Sequence, residues 1–98
     1  MTVPDEAVYR FCLYVAGEAP NSLAAIANLK AICDCHLPGR HRIEVIDLVR
    51  EPRRGIEDGI LLTPMLVKLA PGSVRKVVGS LSDTEAVLRT VGLPVSPP

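Results

Sequence analysis

Aromatic side chains are scarce in this chain: there is no tryptophan, one phenylalanine and two tyrosines. All three, Tyr9, Phe11 and Tyr14, fall in one short segment. The core must therefore rest on Ile, Val, Leu and Ala. An excess of charge of either sign is also missing. Lysine plus arginine number 11, the acids number 11, and the formal net charge is +0. That balance gives no electrostatic reason to expect nucleic acid or an anionic membrane as the main partner. It also removes a barrier to self-association, so a homo-oligomer is expected. No segment approaches the roughly 18 apolar residues that cross a bilayer. Met1-Thr2-Val3-Pro4-Asp5-Glu6 is acidic and does not read as a secretory signal, so the expected location is cytoplasmic. The three cysteines, Cys12, Cys33 and Cys35, are an odd number and form no disulfide framework. In a reducing compartment they are free thiols.

What is present is a short globular pattern. With 98 residues, 48% of them hydrophobic, the chain is expected to form one domain over residues 1–98 with a thin core. Residues 8–16 are almost continuously apolar and rich in β-branched and aromatic types, which predicts a central strand covered on both faces. Pro20 suits the first turn of a helix, with Asn21 and Ser22 available to its free amides. Leu23, Ile26, Leu29 and Ile32 or Cys33 repeat at helical spacing, predicting an amphipathic helix to about Cys35. Residues 37–40 are a turn and residues 43–48 a second strand. Strand, helix and strand of these lengths make a βαβ unit with parallel strands. Beyond residue 50 the pattern is less committed. Glu51-Pro52 can open a short helix to Asp58, against Gly55 and Gly59. Residues 60–67 are apolar and read as strand or buried helix, with Pro64 at an edge, a strand start or a bend. Residues 74–78 suit a strand after the Pro71-Gly72 turn. Ser82 with Glu85 resembles a capping box, opening a helix to about Val91 that Gly92 and Pro94 stop. Residues 93–98 form a loose tail. The simplest order is βαβαββα, an α/β plan of thioredoxin-like type.

That plan places a reactive Cys-x-x-Cys between the first strand and first helix, where a helix N-terminus stabilises a thiolate. Here the position holds Glu18-Ala19-Pro20-Asn21-Ser22 and no sulfur, which excludes dithiol exchange at that site. Cys33, Cys35 and His36, with His41, could suggest a metal cluster. Residues i and i+2 of a helix point to different sides, however, so Cys33 and Cys35 do not converge; the expectation is no metal and no cofactor. Cys12 reads as a small core hydrophobe. Ser22 and Ser82 lack the setting of a nucleophile and read as helix caps. Arg50, Arg53 and Arg54, near Glu57 and Asp58, are either a solvated mixed-charge helix face or a charged docking surface. Thr63-Pro64 is either a cis bond or an ordinary trans proline at a strand start.

Three blocks resemble the KaiB family, small clock proteins that dock on the ring ATPase KaiC. They are Leu13-Tyr-Val-Ala-Gly-Glu-Ala-Pro-Asn-Ser22, Ile43-Glu-Val-Ile-Asp-Leu48, and residues 60–69 together with residues 74–83. The resemblance implies a regulator that is not an enzyme. It implies binding to a KaiC-type ATPase in a clock or in timing or stress signalling, with capture of further clock components. It also implies a thioredoxin-like monomer when partner-bound and, when free, an oligomer (dimer or tetramer) with a rearranged second half. The partner-binding residues expected on this ground are Arg53, Arg54, Glu57, Asp58, Thr63 and Pro64. The alternative is a thioredoxin-like adaptor or sensor domain for another signalling protein, such as a histidine kinase. The chain departs from the family at Ala24, where an arginine is usual, at Gly59, where a basic residue is usual, and after Leu88.

Overall fold

The apolar segment near the N-terminus becomes β1 (Tyr9–Val15), the strand on which the rest is assembled. The structure is a computed structural model and describes residues 7–94. After β1 come α1 (Pro20–His36), β2 (His41–Asp47), α2 (Pro52–Glu57), β3 (Met65–Ala70), β4 (Arg75–Val78) and α3 (Thr84–Val91). The order is βαβαββα. The strands form one sheet in the order β2-β1-β3-β4. β1 and β2 are parallel, with Leu13 opposite Val45. β1 and β3 are antiparallel, with Leu13 opposite Leu66, and β4 pairs antiparallel to β3.

The sheet has a core on each face, because side chains alternate along β1. Phe11, Leu13 and Val15 pack with Leu29, Ile32 and Cys33 of α1 and with Val87, Leu88 and Val91 of α3. Cys12 and Tyr14 face the other way, against Ile46, Ile60 and Val67. The first face is covered by two helices. The second meets only the six-residue α2 and the segment that follows it, and this difference positions everything below.

Several details differ from the sequence expectation. The buried stripe of α1 is Ser22, Ala25, Leu29, Ile32 and Cys33, and Leu23 is half exposed. The helix is rotated by about one residue because Ser22 is wanted inside: its hydroxyl accepts the Ala16 amide at 3.1 Å. Ser22 is therefore no helix cap; α1 begins after Ala19 with no side-chain cap. At α3 the cap is Asp83, which accepts from the Ala86 amide at 3.1 Å, and Ser82 is not the capping residue. Glu85 instead lies one turn before Arg89 and pairs with it at 3.5 Å. The apolar run at 60–67 is neither one strand nor a buried helix. Residues 60–64 are irregular and the strand starts at Met65. Leu93 is anchored, its amide donating to the Leu88 carbonyl at 2.8 Å. Residues 95–98 of the expected tail, and the acidic residues 1–6, lie outside the described residues. The peptide bonds Thr63–Pro64 and Ala70–Pro71 are cis.

Candidate docking surface

The surface is built by the way α2 turns back onto the sheet. Pro52 starts the helix, where its missing amide costs no hydrogen bond. Gly55 is the residue of α2 that is buried. A methyl group there would meet a Leu48 methyl at 3.1 Å, so glycine is what lets the helix lie so close to the end of β2. Burying Gly55 turns its neighbour outward, and Ile56 is 82% exposed. The helix ends at Glu57, and the turn after it passes through Gly59, whose φ of +68° favours glycine. The Ile60 amide then donates to the Gly55 carbonyl at 2.8 Å and carries Ile60 into the second core. Leu61, directly after it, is 92% exposed, and Leu62 is 59% exposed.

On the inner side of α2 five polar groups meet. The Tyr14 hydroxyl donates to Asp58 Oδ2 at 2.6 Å. Arg54 lies 3.6 Å from the same carboxylate and 3.5 Å from Glu44 on β2. The Cys12 thiol points to Glu44 at 3.8 Å. Burial, reinforced by the bond to Asp58, pushes the Tyr14 hydroxyl well above its ordinary pKa. Burial, then the nearby Glu44 charge, pushes the Cys12 thiol up too. Both groups are held in their neutral, proton-donating forms, and the cluster ties α2 to β1 and β2. A cavity of about 460 Å³ opens beside it, reaching Leu69, Val74 and Lys76.

The six residues expected at a partner surface therefore divide. Arg54 and Asp58 turn inward to the tyrosine. Arg53 and Glu57 stay exposed on the outer side of α2. Thr63 is exposed, while Pro64 is buried and its carbonyl accepts the Gly79 amide at 2.9 Å. Arg50 lies before α2, at 4.0 Å from Asp47. Sequence reasoning missed Ile56, Leu61 and Leu62 as exposed groups, and it missed Tyr14 and Glu44 as partners of α2. The signal for Ile56 was its place beside the only glycine inside α2. For Leu61 there was none, since apolar composition alone argues for burial.

The thiols sit apart. Cys12 and Cys33 belong to the two different cores, and burial pushes the Cys33 thiol up to about 12. Cys35 is exposed. His41 takes the α1 end instead: its Nδ1 lies 2.7 Å from the Leu37 carbonyl and its Nε2 3.8 Å from Asp34. Among the described residues no three His, Cys, Asp or Glu side chains converge as a metal site. No helix among them is long and apolar enough to cross a membrane.

The strand order and a β1–α1 junction without sulfur define a thioredoxin-like α/β protein that lacks the dithiol at that junction. The fold is shared with chloroplastic thioredoxin z (TM-score 0.73, 17% identity, 87% of this chain and 76% of that one). It is shared also with the N-terminal domain of Synechococcus elongatus SasA (TM-score 0.70, 20% identity, 99% and 95%). Within that fold the chain belongs to the KaiB family, whose KaiB domain matches residues 12–93. It is 45% identical over 85 residues to the circadian clock oscillator protein KaiB of Trichodesmium erythraeum, covering 87% of this chain and 82% of that protein.

Proposed function

We propose that this chain is a non-catalytic KaiB-like regulator that binds a KaiC-type ring ATPase in a clock or in timing or stress signalling, through residues 53–64. The observation that carries the reading is the pair of almost fully exposed apolar side chains, Ile56 and Leu61. They border a groove of about 370 Å³ with Leu48, Pro52 and Ile60. Exposed apolar side chains gathered on one patch mark interaction surfaces. Arg53 and Glu57 stand at its rim, where charged groups set register and partner choice more than affinity. Arg54 and Asp58 hold the patch in place rather than touching the partner. Thr63 and Pro64 fix where β3 begins. The free protein, on the same reading, self-associates as a dimer or tetramer with a rearranged second half. A segment that meets the sheet through one buried glycine, Ile60, Pro64 and a few polar contacts suits two packings close in energy.

The test is co-elution with a KaiC-type ATPase in ATP and in ADP. A complex is expected in one nucleotide state. Ile56→Asp and Leu61→Asp should each weaken it by about tenfold or more while the melting temperature is kept. Failure to form a complex in either nucleotide would sink the reading. Binding to a histidine kinase in its place would move it to the adaptor alternative.

A further inference from the structure

The second face of the sheet is only partly covered, and its far end carries exposed cations. Arg10 on β1 stands directly opposite Arg42 on β2. Adjacent strands lie about 4.8 Å apart, so the two side chains leave the sheet abreast. Like charges directly opposite each other destabilise a strand pair. Both arginines are exposed. Neither makes an ion pair or side-chain hydrogen bond among the described residues. Glu44, two residues after Arg42 on the same face of β2, is engaged by Arg54. Lys76 on β4 is likewise exposed and unpaired among the described residues. Between these cations lie Leu69 and Val74, 44% and 55% exposed. The small cavity of about 120 Å³ at Arg10 and Arg42 shares Cys12, Glu44 and Leu69 with the larger one that reaches Val74 and Lys76. The two are one continuous strip running across the sheet.

We propose that this strip, which borders Arg54, Asp58 and Ile60 but not the exposed Ile56 and Leu61, is a second docking surface, and that its occupant is an acidic, extended segment of a partner protein. A carboxylate seats across the Arg10 and Arg42 guanidiniums, whose planar forks donate to it bidentately. Residues at i and i+2 of an extended segment point the same way, so an apolar residue two along lies on Leu69 and Val74. A further acid reaches Lys76. The chemistry favours carboxylates on a peptide over a phosphate polymer. The strip is lined by four cations, Arg10, Arg42, Arg54 and Lys76, and by two acids, Glu44 and Asp58, both of which Arg54 engages, and the chain's net charge of +0 supplies no long-range pull on a polyanion. Leu69 and Val74 also offer contact that phosphate groups cannot use.

The experiment is fluorescence anisotropy with the full chain. The probes are a short fluorescein-labelled peptide rich in glutamate and leucine and the same peptide with every glutamate replaced by glutamine. The glutamate peptide should bind saturably, weaken with salt, and bind about tenfold or more tighter than the glutamine peptide. The double variant Arg10→Gln/Arg42→Gln should weaken it by a similar factor, and Lys76→Gln by less. Ile56→Asp should leave it unchanged, so this surface and the one at residues 53–64 stand or fall separately. The double variant relieves a like-charge pair, so its melting temperature should equal or slightly exceed that of the parent, which excludes unfolding as the cause. Equal binding of the two peptides, full binding by the double variant, or tighter binding of inorganic tripolyphosphate than of the glutamate peptide would each overturn the proposal.

Discussion

Tyr14→Phe removes one hydroxyl and separates the polar tie beneath α2 from the packing around it. The ring stays, so no cavity opens. What is lost is the 2.6 Å bond to Asp58. A hydrogen bond to a charged acceptor contributes about 1.5–3 kcal/mol. The Asp58 side chain is 34% exposed, so water and Arg54 replace part of it, and a loss of about 1–1.5 kcal/mol is expected at pH 7. In urea unfolding the midpoint should fall by roughly 0.5–1 M with no change in slope. The pH dependence gives a sharper check. The Tyr14 pKa is raised in the folded state. Its contribution is therefore complete below the unfolded tyrosine value near pH 10 and is lost as pH rises above it, by about 1.4 kcal/mol per unit. The raised thiols of Cys12 and Cys33 act with the same sign from about pH 9, but equally in both proteins. The stability curves of parent and variant should thus converge and meet at about pH 10.5–11. Equal midpoints at pH 7, or a gap that stays constant to pH 11, would refute the tie.

Asp83→Ala removes the cap of α3 and should cost about 1 kcal/mol, whereas Ser82→Ala should cost less than about half that; thermal unfolding of the two variants distinguishes the capping residue. Gly55→Val places a branched side chain against Leu48 and should destabilise by about 1–3 kcal/mol. It should also loosen α2, seen as faster amide exchange at Ile60. Asp47 accepts the Gly17 and Val49 amides at 2.9 Å each, and those bonds hold its carboxyl below the usual range. Its stabilisation is present above about pH 4 and lost as pH falls through its folded value. Asp47→Asn keeps an acceptor without the proton linkage, so its stability should fall less steeply below pH 4 in an acid titration followed by circular dichroism. A parallel fall in both proteins would count against this role.

The first half of the fold was open to reading because its signals are local. A continuous apolar strand, a proline-started helix with helical spacing and a second strand all follow from backbone sterics and patterning, and the elements ended within about two residues of expectation. Leu23 was misplaced because periodicity finds a stripe but not its rotation, which the Ser22 bond to β1 sets. Residues 60–64 were misread for a related reason. Ile60 and Leu61 are chemically alike, yet one is core and the other is 92% exposed. The turn at Gly59 and the Ile60–Gly55 bond make that difference, and both depend on where α2 lies. A six-residue helix has too few turns to announce itself by period.

The sequence by itself determined the family, the βαβ half and the missing dithiol. Those properties belong to residue type and short-range order, which the chain carries whatever it packs against. The tertiary structure decided which side of α2 faces outward, that Arg54 and Asp58 join Tyr14 and Glu44 while Arg53 and Glu57 stay exposed, and that Arg10 comes to stand beside Arg42. These are contacts between residues as far as 44 positions apart. Strand pairing and burial bring such residues together, and no local pattern encodes them.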